Sequence, residues 1–429
     1  MSALSFQAIA FANQSPNERI RVGVMGTSRN SIGGDGRGTH LAAQFAQQEN
    51  TEVVYVCDVD SRNVGKAIEA VSKHQTKPPA GVGDFRRILD DQSVDVLVIA
   101  APDHWHGPAT ILGCNAGKHV YVEKPCCHNP AEGELMVEAA NKHKRHVQVG
   151  TQRRSWPAIR EAIQRLHDGE IGDIRCAQAY YYNNRPSIGH GKPVPVPEWL
   201  DWDLWQGPAP RTPYRDNIVH YNWHWFWNWG TAELGNNGVH TLDVCRWGMG
   251  ADYPYNVSCG GDNDELDDDR ETPTSTLANF SFSNWTSIYW HGYSCEPRTK
   301  GDREEDICFI GSKADLKIQG GTYTIIDRDG KQLDKKSGRG GDMDHIKNLI
   351  DTIRGNDKLN CPIEEGYKST LLCHLGNIAY RLKKEIFCLD PKTGKISHDS
   401  YRSEGSATPQ EVQKLWSREY EPGWEPKVG

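Results

Sequence analysis

The sequence lacks the features that mark several large classes of protein. It has no run approaching the roughly 20 apolar residues of a membrane helix, so we expect no membrane insertion. No basic run stands out, and the formal net charge of −8 argues against nucleic-acid binding. What is present, 37% hydrophobic and 25% charged residues, is typical of a globular protein.

The sequence also lacks any cysteine pattern for a metal or a disulfide framework. None of the 12 cysteines lies at metal-ligand spacing, and the adjacent Cys126 and Cys127 suit neither a zinc site nor an ordinary disulfide. Most of the others lie in apolar runs, where we expect buried free thiols (Cys57, Cys114, Cys245 and Cys373). We therefore predict no metal site and no disulfide framework.

The N-terminus has only part of an export signal. Ser2 to Ala12 is an apolar stretch that ends in Ala10-Phe11-Ala12, but a basic n-region is missing. Residues 1–15 are therefore either the remnant of a truncated export signal or a frayed N-terminus. The first explanation favours a periplasmic or exported protein, and the second a cytoplasmic one.

The length and the pattern of apolar runs predict two domains. A chain of 429 residues is too long for one compact core. Short apolar strands alternate with helical patterns up to Gly150, which predicts a parallel sheet wound on both faces. The five predicted strands are residues 21–25, 52–57, 95–101, 119–122 and 146–149. We expect a nucleotide-binding domain over residues 16–150 and a substrate-binding and oligomerisation domain over residues 151–429.

Ligands of such sheets bind beyond the carboxyl ends of the strands. The loop after the first strand is rich in glycine but lacks the middle glycine of G-x-G-x-x-G, so it is a weak signal alone. Its candidate cofactor contacts are Gly26, Ser28, Arg37 and Gly38. Asp58 ends the second strand, where a carboxylate can accept both ribose hydroxyls of NAD and would repel the 2′-phosphate of NADP. The cofactor predicted is therefore NAD.

Two further strand ends carry polar residues that face the same edge. The third strand leads to Pro102 and His106, which we expect to line the nicotinamide side of the pocket. The fourth leads to Glu123-Lys124-Pro125, where Glu123 and Lys124 are further candidate cofactor contacts. A lysine at this place would lie near the nicotinamide, where it could hydrogen-bond a substrate hydroxyl and help to move its proton.

Taken together, these motifs resemble those of the glucose-fructose oxidoreductase / inositol dehydrogenase (Gfo/Idh/MocA) family. The resemblance covers the chain from Arg19 to about Leu389. The motifs are similar to those of an often exported, sugar-directed subgroup of the family. It rests on the Gly26 loop, Cys57-Asp58-Val59-Asp60, Pro102 with His106, Glu123-Lys124-Pro125, Val149 to Arg153, Asn222 to Trp227, Glu233 to Asp243 and Gly376 to Arg381.

The resemblance implies an N-terminal Rossmann domain followed by an α/β domain with a large open, mostly antiparallel sheet. That sheet would cover the active site and often mediates oligomerisation, so we expect a homodimer or homotetramer. Strand-like runs after Gly150 agree with such a sheet (residues 175–182, 276–282, 286–293, 307–310, 314–318 and 323–327). Seven of the 14 tryptophans fall in a Pro- and Trp-rich excursion between Trp199 and Trp229.

The family's hydride chemistry, as the resemblance implies it, uses the lysine together with an Asp-x-x-x-His pair. Lys124 and His240 match, but Asn236 stands where the aspartate would be. Residues four apart share a helical face, so Asn236 and His240 should both point at the substrate. Because an asparagine cannot take a proton, the proton would go to His240 or to Lys124.

Candidate substrate contacts are Arg153 and Tyr181, from their strand-end positions, and the aromatic residues Trp223 and His224. The aromatic residues suit sugar stacking, but a core or a dimer surface is the better explanation for any single one. Asp243 is a further candidate, either holding the second nitrogen of His240 or facing solvent.

We expect an NAD-dependent enzyme that oxidises a ring hydroxyl of a sugar, glycoside or cyclitol. The alternative is an NAD-dependent glycoside hydrolase, a type of activity found among relatives. Such an enzyme oxidises C3 transiently, eliminates the aglycone, adds water and returns the hydride from its resident cofactor to the sugar. A silent NAD-bound scaffold is disfavoured because Lys124 and His240 are both present.

Overall fold

The computed structural model describes residues 19–28, 36–262, 266–299, 302–397 and 404–429. The leader-like residues 1–15 and the middle of the glycine loop lie outside these ranges. The strands are β1 Ile20–Met25, β2 Thr51–Cys57, β3 Ala80–Val82, β4 Val96–Ile99, β5 His119–Val122, β6 Val147–Val149, β7 Ile174–Tyr182, β8 Asn256–Asp262, β9 Ser275–Ser281, β10 Ser287–Tyr293, β11 Ile307–Gly311, β12 Ala314–Gln319, β13 Thr322–Asp327 and β14 Gln332–Ser337. The helices are α1 Arg37–Phe45, α2 Ser61–Ser72, α3 Arg86–Asp90, α4 Asp103–Asn115, α5 Pro130–His143, α6 Pro157–His167, α7 Trp202–Gln206, α8 Val239–Met249, α9 Asp342–Ile353, α10 Ile363–Leu382 and α11 Pro409–Lys414.

The first sheet is parallel and wound on both faces. Its strand order is β3-β2-β1-β4-β5-β6, the order of a dinucleotide-binding fold. All four residues of β4 are buried, as expected for a strand covered by helices on both sides. The predicted Rossmann fold is confirmed, and the one strand missed, β3, is a three-residue edge strand without an apolar run.

The second sheet has eight strands in the order β14-β13-β12-β11-β7-β10-β9-β8. Within the described residues, β7 and β10 pair in parallel, and every other neighbouring pair of strands in this sheet is antiparallel. Residues of β9 and β10 alternate between buried and more exposed, so one face packs on the helices and the other is open. This confirms the predicted large open sheet. The prediction missed β8 and β14, whose outer residues are polar or glycine.

The N-terminal and C-terminal halves of the chain do not have separate hydrophobic cores. Ile346, Leu349 and Ile350 of α9 pack into the core of the first sheet, although α9 follows the second sheet in the chain. The tryptophan-rich excursion has a small core of its own, in which Trp202, Trp205 and Trp225 are buried. Among the described residues, no helix is both long and apolar enough to cross a membrane.

All 12 cysteines are free thiols, and the four predicted to be buried are buried. Cys126 and Cys127 hold their sulfurs 3.8 Å apart. Within the described ranges, no group of three or more metal-ligating side chains is assembled.

Candidate active site

A cavity lies at the carboxyl edge of the first sheet, where the loops after four strands meet. Residues that end or follow strands line one side, and the tryptophan-rich excursion closes the other. The lining residues are Met25, Gly26, Ser28, Cys57, Asp58, Val59, Gly83, Phe85, Ala101, Pro102, Trp105, Leu204, Trp205 and His220. Gly26, Ser28, Asp58 and Pro102 are thus brought together as predicted from their strand-end positions.

The glycine loop packs too tightly for a side chain at two of its glycines. Gly26 has a φ of +87°, and a Cβ there would lie 2.4 Å from the backbone nitrogen of Ala101. A Cβ on Gly38 would lie 2.0 Å from the carbonyl oxygen of Gly26. The backbone of the first turn of α1 therefore packs closely against the turn after β1. The N-cap residue of α1, Gly36, has no side chain to accept the free amide groups of this turn. Free amide groups of a helix N-terminus beside a close backbone approach suit the pyrophosphate of a dinucleotide.

Asp58 has the geometry of a ribose-binding carboxylate. Its Oδ1 accepts the backbone N–H of Asp60 at 2.8 Å, and its Oδ2 is 3.4 Å from the hydroxyl of Thr27. The residue is 8% exposed, and burial raises the pKa of its carboxyl to about 6 despite the hydrogen bond from Asp60 and the nearby His220. The weakly engaged Oδ2 leaves room to accept ligand hydroxyls. The residues of this cavity therefore fit NAD.

Arg37 and Glu123 bind each other instead of pointing into the cavity. The Nε of Arg37 donates to Glu123 Oε1 at 2.7 Å, and its two terminal nitrogens donate to the carboxylate of Asp342, each at 2.7 Å. All three guanidinium nitrogens thus have carboxylate partners. The arrangement ties α1, the end of β5 and α9 together, so we revise Arg37 from a direct cofactor contact to a positioning residue.

Both ring nitrogens of His106 contact backbone carbonyl groups. Its Nδ1 lies 2.6 Å from the carbonyl oxygen of Pro125, and its Nε2 lies 2.8 Å from that of Ala101. The side chain is buried and links the ends of β4 and β5. We predicted that it lines the pocket; instead, it holds the turn that carries Lys124.

Lys124 is anchored by two hydrogen bonds to one residue. Its Nζ donates to the backbone oxygen of Asn236 at 2.8 Å and to the side-chain Oδ1 of Asn236 at 3.4 Å. These two hydrogen bonds fix the side-chain nitrogen of Lys124 and leave its third hydrogen-bonding position free for another partner. The structure thus brings two of the candidate catalytic residues, Lys124 and Asn236, into direct contact.

Asn236 lies in a π-helical turn, Leu234–Gly238, directly before α8. The extra residue of a π turn shifts the helical faces. As a result, Asn237, and not Asn236, joins His240 in lining a cavity of about 280 Å³ beside the second sheet. The prediction that Asn236 and His240 share one substrate-facing surface is therefore wrong in detail. The amide of Asn236 faces Lys124 and Glu233.

His240 is partly buried, and its pKa is held well below the ordinary histidine value. Burial is the largest cause, and the positive charges of Lys124 and Arg153 act in the same direction. The imidazole is therefore neutral near pH 7 and has a nitrogen lone pair free for a proton.

Glu233 is a site residue that sequence reasoning missed. It is 2% exposed, and its oxygens accept the amide groups of Asn236 at 2.9 Å and Asn237 at 2.7 Å. Burial tends to raise its pKa, but Arg185, with its Nε 3.4 Å away, and His224 outweigh that effect, so the pKa lies below its usual range. The spacing of Glu233 from two asparagines three and four residues later is the signal that could have revealed it.

This carboxylate explains why asparagine stands at position 236. The Nδ2 of Asn236 donates to Glu233, which turns its Oδ1 toward Lys124. An aspartate there would set a second carboxylate beside the buried one of Glu233, and the repulsion between them would raise the pKa of the pair.

The structure contradicts the predicted role of Asp243. Its carboxylate is fully buried and accepts three hydrogen bonds of 2.8–3.0 Å from Arg154 and one of 2.6 Å from Ser369. It neither holds His240 nor contacts the cavity. This carboxylate forms a structural ion pair with Arg154, and its bond from Ser369 joins α8 to α10.

Of the remaining candidates, Arg153 and Tyr181 line the cavity beside His240. One terminal nitrogen of Arg153 bonds Asp306 at 3.2 Å, and the other is buried without a partner. The oxygen of Tyr181 accepts bonds from Asn183 and Arg185, so its own hydrogen is free to donate.

The aromatic candidates are less accessible. Trp223 is partly buried and packs against the core of the excursion. His224 is 1% exposed, and its Nδ1 donates to the carbonyl oxygen of Tyr221 at 2.6 Å. Neither lines the cavity beside His240, which favours the core explanation over direct sugar stacking.

Comparison with known proteins agrees with this architecture. Residues 20–151 match the model of an oxidoreductase family with an NAD-binding Rossmann fold. Residues 187–410 match the model of the C-terminal alpha/beta domain of an oxidoreductase family.

Individual relatives are similar to parts of the chain. A glycosyl hydrolase family 109 protein of Saccharopolyspora erythraea is 27% identical over 226 residues, 49% of this chain and 47% of the relative. The inositol 2-dehydrogenase of Salmonella typhimurium is 29% identical over 165 residues, 38% of this chain and 46% of the relative. The alignments thus span about half the length of these curated relatives. The WlbA dehydrogenase of Bordetella pertussis, solved with NADH and UDP-GlcNAcA, has a TM-score of 0.62 at 19% identity and covers 86% of this chain and 98% of its own.

Proposed function

The chain belongs to the Gfo/Idh/MocA family of NAD-binding oxidoreductases, and from that premise we propose that it oxidises a ring hydroxyl of a sugar, glycoside or cyclitol. The observation that carries this proposal is the pairing of Lys124, fixed by two bonds to Asn236, with a neutral His240 that lines the adjoining cavity.

In this proposal the cavity at the first sheet holds NAD. Gly26, Ser28 and Gly38 provide the close backbone approach, and Asp58 accepts the ribose hydroxyls. The carboxylate at this position also makes NAD preferred over NADP, because a 2′-phosphate would face a negative charge. When bound, NAD supplies the acceptor for a hydride.

Side chains of this protein bind the reacting hydroxyl of the substrate and accept its proton. The free position on Lys124 Nζ binds the oxygen of the reacting hydroxyl, and the neutral imidazole of His240 stands ready to accept its proton. The imidazole is uncharged at neutral pH, as a base must be, and its lowered pKa makes it a weaker proton acceptor than an ordinary histidine. Lys124 remains the alternative proton acceptor, because it touches the same oxygen.

Other groups of the cavity bind the substrate without taking part in the chemistry. The unpartnered nitrogen of Arg153 and the free hydrogen of Tyr181 are both donors, which suits hydroxyl and ring oxygens. Glu233 is a positioning residue that acts through Asn236 on Lys124.

A second candidate function is redox-neutral hydrolysis of a glycoside with resident NAD. The similarity to a glycosyl hydrolase family 109 protein favours it, although the alignment covers only part of both chains. The same Lys124 and His240 would serve both functions, and the difference is whether a leaving group departs from the sugar.

One experiment tests both functions. Purified protein is offered aryl glycosides and free sugars, and released phenol and NADH are followed together. NADH from a free sugar supports the dehydrogenase, whereas phenol without net NADH supports the hydrolase. Lys124→Ala should abolish either signal, while Lys142→Ala, an exposed lysine of α5, should keep it. Full turnover by Lys124→Ala would contradict the proposal.

A further inference from the structure

A second cleft shares no lining residue with the two cavities of the candidate active site. We call it the C-terminal cleft. It has a cavity volume of about 370 Å³ and is bounded by the start of α5, the end of the tryptophan-rich excursion, α10 and the segment around α11. The residues important here are Trp227, Asn228, Asn377, Arg381, Lys414 and Arg418.

The cleft gathers three cations that have no carboxylate within ion-pair distance. Arg381, Lys414 and Arg418 all line it, and in the part of the chain that the structure describes none lies within 4.0 Å of an acidic oxygen. Arg381 stacks on Trp227, with 5.0 Å between its guanidinium and the ring centroid. Burial lowers the pKa of Arg418, as expected for a cation that lacks a full counter-charge.

Arg418 is held in place by neutral groups. One terminal nitrogen donates to His128 Nδ1 at 3.1 Å and the other to Asn228 Oδ1 at 3.2 Å. Because a guanidinium can only donate, the Nδ1 of His128 accepts, and its Nε2–H donates to the carbonyl oxygen of Trp227. The guanidinium is therefore oriented without being neutralised.

The nearby acids offset this charge only in part: Glu132 acts on Arg418 and Glu271 on Arg381, both from beyond ion-pair distance. Glu419 lies on the exposed rim of the cleft. The oxygens of Glu132, behind Arg418, accept the hydroxyl of Tyr420 and the N–H of His128, each at 2.9 Å. Burial raises the pKa of Glu132 to about 7. Glu271 accepts the N–H of Trp227 at 2.8 Å.

A buried acceptor in the wall of the cleft also lacks a partner. Asn377 is 6% exposed, and its Nδ2 donates to the carbonyl oxygen of Thr231 at 2.7 Å. Its Oδ1 is buried and has no hydrogen bond. An unsatisfied buried acceptor is unfavourable, and a hydroxyl donor would satisfy it.

We propose that the C-terminal cleft binds a small organic oxyanion that also carries hydroxyl groups, such as a phosphorylated or carboxylated sugar. Arg381, Lys414 and Arg418 would bind the anionic group, since guanidinium groups suit planar and tetrahedral oxyanions. Asn377 would accept a hydroxyl, and Trp227 would provide an apolar wall. The site is separate from the proposed catalytic cavity and does not depend on which reaction takes place there.

Isothermal titration calorimetry on the full chain tests the proposal. The protein is saturated with NAD, so that the pyrophosphate site is filled, and titrated at constant ionic strength with glucose 6-phosphate, glucuronate or glucose. We expect the two anions to bind and glucose to bind at least about tenfold more weakly, because it lacks the charge-assisted bonds. Binding of only one anion would identify phosphate or carboxylate as the preferred group, and either result supports the site.

The double variant Arg381→Gln/Lys414→Gln should weaken anion binding at least about tenfold. Both side chains are exposed, so the fold should persist, and a thermal melt checks this. Lys142→Gln makes a single change of the same kind elsewhere and should bind as the wild type does. Three outcomes would overturn the proposal: no anion binding, equal binding of glucose, or undiminished binding by a folded double variant.

Discussion

The carboxylate of Asp58 should make NAD binding depend on pH in a defined window. Burial raises the pKa of this carboxyl to about 6 in the free protein. Only the ionised form can accept both ribose hydroxyls, so bound NAD lowers the pKa. Affinity should therefore be constant above about pH 7 and fall below pH 6. At pH 5 about one-tenth of the carboxyl is ionised, so the dissociation constant should rise about tenfold.

The variant Asp58→Asn isolates this charge. The replacement's amide oxygen can still accept the N–H of Asp60, but its NH₂ group then faces the ribose hydroxyls. Losing a hydrogen bond to a charged group costs about 1.5–3 kcal/mol, which corresponds to roughly 10- to 150-fold in the dissociation constant for NAD. The variant should also lose the pH dependence and discriminate less against NADP.

Both predictions are measured by titrating NAD and NADP into wild type and variant between pH 5 and 8, with bound cofactor followed by tryptophan fluorescence or calorimetry. The reasoning would be refuted by a wild-type affinity that stays flat down to pH 5. It would equally be refuted by an Asp58→Asn variant that binds NAD as tightly as the wild type does.

Three further predictions concern the second half of the chain. Arg154→Met should destabilise the protein by about 3–5 kcal/mol, because it leaves the buried carboxylate of Asp243 unpaired; a denaturant titration that gives no loss would contradict the structural role of this pair. Asn236→Asp should lower the melting temperature more at pH 8 than at pH 5. The reason is that the second carboxylate beside Glu233 has a raised pKa. The free-energy cost of ionising it in the folded protein grows by about 1.4 kcal/mol for each pH unit above the ordinary carboxyl pKa. Equal shifts in melting temperature at both pH values would count against this prediction. His240→Asn should reduce kcat by about 10²- to 10⁴-fold while leaving the dissociation constant for NAD unchanged, and a matching loss of NAD affinity would show that the histidine acts elsewhere.

The nucleotide half could be predicted because its residues lie at strand ends. Parallel strands bring their carboxyl ends to one edge, so Gly26, Asp58, Pro102 and Lys124 meet whatever lies between them in the chain. Strand-end position brought these segments to one edge, but it did not reveal that Arg37 and Glu123 bind each other or that His106 contacts backbone carbonyl groups.

The substrate half was harder to predict because its contacts are long-range. Asp243 is three residues from His240, but a buried partner 89 residues away, Arg154, determines its role. The π turn at Leu234–Gly238 changed which asparagine faces the cavity, and helical periodicity could not reveal that insertion.

The tryptophan-rich excursion posed a third kind of difficulty. Its composition indicated aromatic packing, but not that Trp205 and His220 would close the cavity over the carboxyl edge of the first sheet. That placement depends on contacts such as the 2.8 Å bond between His220 and Asp60, which join distant parts of the chain.

The central claim is that this chain moves a hydride from a ring carbon of a carbohydrate to NAD. A single-turnover reaction with a glycoside or sugar carrying deuterium on its ring carbons tests it directly, by the mass of the cofactor recovered from the quenched enzyme. The account predicts deuterium in the nicotinamide ring with wild type and none with Lys124→Ala. Oxidised sugar formed by the wild type while the cofactor stays unlabelled would contradict it.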